Sequence, residues 1–374
     1  MVKLGEYKGK NIFYNRELAL NGNIIILGVP GSGKTQQAIN TMIQLCDEGQ
    51  TILTFDTHSV LDPENIHPDL LPAFEAVAND IDVYKNGIQL PLFSPSVFSD
   101  GTEERASDLL EGLTQVFVKA YRFGVRQEDY LRKALETIYD ENRYRENGLG
   151  DLGEILESFE AKEALSVKER MAPVINGNIF VDGYDFIVPG KLNVIRISKH
   201  SLPAQRIICE VILNFVWQQA VKGGFRDTNL RIFIDECHNQ DLGKKGVISQ
   251  LLMEGRKYHV DLMLAFQVLP QDAFVSKIMM QSSLVLFFQS ARNETAKIAK
   301  LIEPGKPEVW MHVINSLGCG EFITKGDITL GDGKVFKKPL KIKARFGEEM
   351  KKQEKASATS VARAFCREIE GNQC

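Results

Sequence analysis

An α/β fold with a mostly parallel sheet and an inserted helical subdomain is what this sequence predicts, on three observations. Six short runs rich in Ile, Leu, Val and Phe alternate with longer segments of helical spacing. The first of those runs leads into a glycine-rich turn, GVPGSGKT, and then into a helical pattern. Between about residues 100 and 185 the strand-like runs largely vanish and helical spacing takes over.

The six expected strands are Asn23 to Val29, Thr51 to Asp56, Leu192 to Ser198, Arg231 to Glu236, Asp261 to Gln267 and Ser283 to Gln289. Their near-continuous apolar character predicts burial on both faces, as in a parallel sheet covered by helices. In the intervening segment, Leu109, Leu110, Leu113, Val116, Phe117 and Ala120 share one helical face. Leu131, Leu135 and Ile138 share another, and Leu152, Ile155, Leu156 and Phe159 a third. Asp100 or Thr102 is the expected cap of the first of these helices, with Glu103 and Glu104 in its first turn. The predicted organisation is a discontinuous core, residues 1–99 and 186–346, a helical insertion, 100–185, and a polar tail, 347–374. A weak stripe in that tail, Val361, Phe365 and Ile369, reads as a frayed end.

Composition narrows the class. With 374 residues, 44% hydrophobic and 25% charged, the chain can bury a sizeable core without disulfides. Cys46, Cys209, Cys237, Cys319, Cys366 and Cys374 are scattered, with no CxxC pair or His spacing for zinc, and are expected to be reduced thiols in a cytoplasm. No apolar run approaches the roughly 20 residues that span a bilayer, so no direct membrane insertion is expected. A net charge of −4 argues against a nucleic-acid-coating surface, yet leaves room for a local basic track inside a ring.

The segment Gly28, Val29, Pro30, Gly31, Ser32, Gly33, Lys34, Thr35 sits between a buried strand and a helix, the context a phosphate-binding loop requires. Its glycines let the backbone approach a polyphosphate, so that successive N–H groups face negative charge. Lys34 is expected on the β- and γ-phosphates of ATP and the Thr35 hydroxyl on Mg²⁺. A chance match is expected in about 1–2% of chains this long, and the context lowers that further.

RIFIDE ends in Asp235 and Glu236, adjacent carboxylates at the carboxyl edge of a strand, where open α/β sheets bind ligands. Asp235 is expected to hold Mg²⁺ through its water shell, and Glu236 to orient and deprotonate a water. Phosphate transfer to a substrate hydroxyl needs no such glutamate, so the pair favours hydrolysis. Gln267 closes its strand where an amide can sense the γ-phosphate, although a strand-end Gln is commonly a turn residue. Arg256 lies in an expected loop; by itself it reads as an ordinary solvated side chain.

Taken in order, GVPGSGKT, TFDTHS, IFIDECH and GRKYHVDLMLAFQ resemble the HerA/FtsK superfamily of ATPase motors, over about Asn23 to Gln267. Weaker similarity continues through SSLVLFFQSARNETAKIAKLI and LGCGEFITKGD, and in KERMAPVINGNIF. The resemblance implies a RecA-like core, a homo-hexameric ring and ATP sites at subunit interfaces. It carries Lys34, Thr35, Asp235 and Glu236 into their expected roles, makes Gln267 the polar sensor and makes Arg256 the arginine acting in trans, with Arg292 or Arg170 as alternatives. With 22 residues before the first core strand, the N-terminal barrel of HerA-like helicases is not expected. Cys237 stands where many relatives carry alanine, which is not expected to disturb the chemistry.

The expected function is therefore an ATP-hydrolysing ring motor that translocates or packages double-stranded DNA. The alternative is an ATPase energising type IV secretion or conjugative transfer, with a protein partner such as a nuclease, portal or secretion channel. A non-motor nucleotide switch is a third reading, which Glu236 disfavours. Lys244 and Lys245 are the first candidates for a DNA contact, with a solvated loop equally compatible. The basic stretch Lys334 to Arg345 reads as a Lys-protected edge strand.

Overall fold

A computed structural model describes residues 1–346 except Leu20, Ser99, Tyr184 and Asp185. The expected tail, with its stripe at Val361, Phe365 and Ile369, lies outside the described residues, as do Cys366 and Cys374. The strands are β1 (Val2–Tyr7), β2 (Lys10–Tyr14), β3 (Ile24–Leu27), β4 (Thr51–Asp56), β5 (Ala78–Asp82), β6 (Ile88–Leu90), β7 (Phe180–Asp182) and β8 (Leu192–Arg196). They continue with β9 (Leu230–Ile234), β10 (Val260–Phe266), β11 (Leu284–Phe287), β12 (Glu321–Gly326), β13 (Ile328–Leu330), β14 (Val335–Phe336) and β15 (Leu340–Lys343). The helices are α1 (Lys34–Asp47), α2 (Leu71–Val77), α3 (Val83–Asn86), α4 (Ala106–Tyr121), α5 (Val125–Asp140), α6 (Tyr144–Asn147) and α7 (Leu152–Ser158). After them come α8 (Lys162–Asn176), α9 (Leu202–Val221), α10 (Val247–Glu254), α11 (Asp272–Gln281), α12 (Thr295–Ile302) and α13 (Pro307–Asn315).

One sheet runs through the molecule in the order β14-β13-β2-β1-β15-β12-β11-β3-β10-β9-β4-β8-β5. From β11 to β5 every pairing is parallel. From β12 outward to β14 every pairing is antiparallel. All six expected strands are present, and all six belong to the parallel block. Alternate residues on them enter opposite layers: Ile24 and Ile26 pack with α1, while Ile25 and Leu27 join the cluster under α9. Burial on both faces is why these strands read as unbroken apolar runs.

Residues 106–176 are largely helical, and the apolar faces of α4, α5 and α7 are buried as their spacing predicts. α4 packs on α9, and their side chains belong to the same apolar cluster as Ile25, Leu27 and Leu53 of the sheet.

Two expectations need correction. Asp100 and Thr102 do not cap α4, which begins after Arg105 with no side-chain cap. Asp100 instead accepts from the Thr102 amide at 2.9 Å in a local turn, and Glu104 is buried against Lys222 at 2.7 Å. The stretch from Lys334 is not an edge strand throughout. β14 is the edge, whereas β15 lies between β1 and β12, so Leu340 and Ile342 pack into the core. The pattern of alternating lysines is the same for an edge strand and for an interior strand with one solvated face, and only the arrival of β1 decides between them.

Candidate nucleotide-binding and hydrolytic site

β3 ends at Leu27, and the next two backbone amides continue its ladder. Gly28 N donates to Phe266 O at 3.1 Å and Val29 N to Gln289 O at 2.8 Å. The turn after Val29 is built for a bare backbone. Gly33 has φ +99, a conformation that strains any L side chain, and a Cβ at Gly28 would lie 2.5 Å from Cβ of Phe288. Gly320 supports the loop from outside by donating to Ser32 O at 3.0 Å. α1 then starts at Lys34, aiming its unpaired N–H groups at the loop.

Lys34 is 5% exposed and its Nζ donates to Val29 O at 3.0 Å. Burial lowers its pKa below the usual lysine value, and the carboxylates of Asp235 and Glu236 oppose that shift. A buried ammonium with one carbonyl partner, beside the N–H groups that open α1, fits a polyphosphate. Across from it, Thr35 Oγ1 donates to Asp235 Oδ2 at 3.3 Å. A hydroxyl and a carboxylate facing one another are the oxygen donors a hard cation such as Mg²⁺ takes, with water completing its shell.

Strand order assembles the rest. β10 lies between β3 and β9, in register from Met263 opposite both Ile24 and Phe233. Gln267, just past β10, is thereby set between the loop and the acidic pair, and its Nε2 donates to Glu236 Oε1. Glu236 occupies the left-handed region, φ 49 and ψ 41, and its amide donates to Asp235 Oδ1 at 2.9 Å. A non-glycine residue held there costs on the order of 1–3 kcal/mol, a strain that collects at functional turns. Glu236 and Asp235 also line a cleft of about 740 Å³, walled by Lys119 and Arg122 of the α4 end and by Arg206 and Glu210 of α9.

Sequence reasoning missed three features here. His238 Nδ1 lies 3.4 Å from Glu236 Oε2; its signal was the third letter past the aspartate in DECHN. Arg196, at the end of β8, pairs with the fully buried Asp56 at 2.8 Å, with Asp62 at 2.5 Å and with Asp80 at 2.8 Å. Burial still raises the Asp56 pKa, against the pull of Arg196. The third is the basic wall of the cleft, which comes from helices remote in sequence.

The arginines are not drawn into this site. Arg256 is exposed on a 3₁₀ turn, Gly255–Tyr258, at the amino end of β10, the sheet edge opposite Gln267. Arg170 is occupied within the chain, bonded to Tyr121 O and stacked over Phe123. Arg292 is exposed just past β11, on the loop's side of the sheet. Lys244 and Lys245 are exposed between Asp241 and α10.

No family model matches the chain, and no curated protein matches it in sequence. Solved structures do match in fold. VirB4 of Thermoanaerobacter pseudethanolicus superposes with a TM-score of 0.61 at 15% identity, over 87% of this chain and 90% of that one. The bacterial plasmid coupling protein TrwB, in complex with ADP and Mg²⁺, superposes with 0.56 at 13% identity, over 87% and 85%. The chain has the fold of VirB4 and TrwB. Also similar, at a TM-score of 0.40 and 10% identity, is the genome packaging NTPase B204 of Sulfolobus turreted icosahedral virus 2, over 87% of this chain and 98% of that one. This shared fold puts the phosphate loop, the acidic pair and Gln267 on one edge of one parallel block of the sheet.

Proposed function

We propose that this chain is the subunit of an ATP-hydrolysing ring motor that moves double-stranded DNA. One observation carries the hydrolytic part: Lys34, Thr35, Asp235, Glu236 and Gln267, from three segments of the chain, converge on a single edge of the sheet. Gly28 to Thr35 hold the phosphates, Thr35 and Asp235 the Mg²⁺, and Glu236 takes the proton of the attacking water. Bound Mg²⁺ would neutralise charge on the phosphates. The exposed position of Arg256 fits an arginine offered to a neighbouring subunit, and the discontinuous core, 1–99 and 186–346, carries the ring while 100–185 forms a helical insertion. DNA would pass the loop bearing Lys244 and Lys245.

A second reading, an ATPase energising secretion or conjugative transfer, is supported by the likeness to VirB4 and to TrwB, a conjugative coupling protein. Among the described residues no helix is long and apolar enough to cross a membrane, so any channel is supplied by a partner in this reading. The deciding measurement is the ATPase rate with and without double-stranded DNA, alongside particle imaging to count subunits. Stimulation by DNA, loss in Lys34→Ala and six-membered particles support the motor. A rate indifferent to DNA, with capture of a membrane channel component, favours the second reading.

A further inference from the structure

Both oxygens of the Glu236 carboxylate have a polar neighbour in the chain itself. Gln267 donates to Oε1 from the end of β10, and His238 Nδ1 faces Oε2 at 3.4 Å. These two partners differ in kind. Gln267 is set at the sheet edge between the phosphate loop and the acidic pair, so its amide has two acceptors to choose between, the glutamate and a phosphate oxygen. His238 lies two residues beyond Glu236 on the same tight turn, and its side chain is placed on Oε2.

That turn is firmly held. Cys237 is fully buried, and its burial raises the thiol pKa so that it stays a neutral packing group. Asn239 N donates to Glu236 O at 2.9 Å and Gln240 N to Cys237 O at 3.1 Å. Just beyond, Asp241 is paired with Arg122 of the α4 end at 2.7 Å. The imidazole is thus carried on a scaffold that does not depend on Gln267.

We infer that His238 is the positioning residue for Glu236, holding Oε2 so that the carboxylate stays aimed when Gln267 turns from Oε1 to a phosphate oxygen. The physical need is specific. A general base must present one lone pair to its water within hydrogen-bond reach, and a glutamate at a strand end has several rotamers. When Gln267 leaves, Oε1 is freed to accept the proton of the water, and without a second hold the carboxylate also loses its orientation. An imidazole protonated on Nδ1 supplies that hold by donating to Oε2. Misplacement of a reacting group by about 1 Å can cost on the order of 10²-fold in rate.

This inference rests on the hydrolytic reading, and the test keeps the two apart. Steady-state ATPase rates and ATP binding are measured on the full chain for the wild type, His238→Ala, His238→Gln and Glu236→Gln. Expected for His238→Ala is a kcat lowered about 10-fold or more, with the ATP dissociation constant within about 2-fold of wild type. His238→Gln, whose amide can donate to the same oxygen, recovers most of the rate. Wild-type kcat in His238→Ala, beside an inactive Glu236→Gln, overturns the inference and leaves the hydrolytic reading standing. So does a His238→Gln variant as slow as His238→Ala, or ATP affinity weakened in both, since either marks a merely structural role. Glu236→Gln turning over as fast as wild type overturns the hydrolytic reading itself, and this inference with it.

Discussion

Gln267 and Glu236, 31 residues apart in the chain, are hydrogen-bonded at the carboxyl edge of the sheet, Nε2 of the amide donating to Oε1 of the carboxylate. The bond exists because β10 is threaded between the strand that carries the phosphate loop and the strand that carries the acidic pair. Truncating Gln267 to Ala should lower kcat about 10²-fold, as removal of one preorganised donor does, and leave ATP affinity near wild type. Single-turnover hydrolysis measured together with equilibrium nucleotide binding separates the two quantities.

Lys34 stores a cost that binding relieves. Its buried ammonium has a pKa lowered from 10.5, so the folded state holds that proton less tightly than the unfolded state does. Stability from this group therefore rises with pH through the window from its lowered value up to 10.5, and below that window the penalty is fully present. Lys34→Met should leave the melting temperature of the free protein unchanged or raised at pH 7, while abolishing the thermal shift caused by Mg-ATP. A clear drop in melting temperature would show that the lysine stabilises its surroundings.

Gly33 tests the loop's geometry. An alanine there would be held at φ +99, and its Cβ would meet Gly320 N at 3.1 Å. The left-handed strain alone costs about 1–2 kcal/mol. Gly33→Ala should weaken ATP binding by 10-fold or more, about 1.4 kcal/mol, with little change in far-UV circular dichroism. Isothermal titration with a non-hydrolysable analogue reads the effect without turnover.

At the opposite edge of the sheet, Arg231 is 1% exposed, bonded to Gly22 O and placed 3.4 Å from Asp261, which also accepts from Gly22 N at 3.1 Å. Removing one partner of a buried, hydrogen-bonded charge pair costs about 3–5 kcal/mol. Arg231→Ala should show that loss in urea unfolding, and the ATP dissociation constant of the folded fraction should not move, because the phosphate loop is a strand's length away.

The legible parts of the fold and site are those whose signals are local. GVPGSGKT and the two carboxylates after RIFI are set by neighbours in the chain: a buried strand must end, and the residues just past its end stand exposed at the sheet's working edge. The six apolar runs were legible for the same reason, since burial on both faces leaves few polar residues to blur them. The antiparallel wing was not. β1, β2 and β13 alternate or are short; β1 pairs locally with β2 and β13 with β14, but their place in the sheet comes from pairing with segments more than 300 residues away, as Tyr14 does with Ile328 and Glu6 with Lys343. For that reason Leu340–Lys343 read as an edge when it is interior.

By itself, then, the sequence determined that the chain has a phosphate loop, an acidic pair and a parallel core to carry them. Only the tertiary structure decided that Gln267 reaches Glu236, that His238 faces its other oxygen, and that Arg256 stands at the far edge. Strand order is a long-range choice among pairings of similar local energy, and it alone sets which strand ends become neighbours.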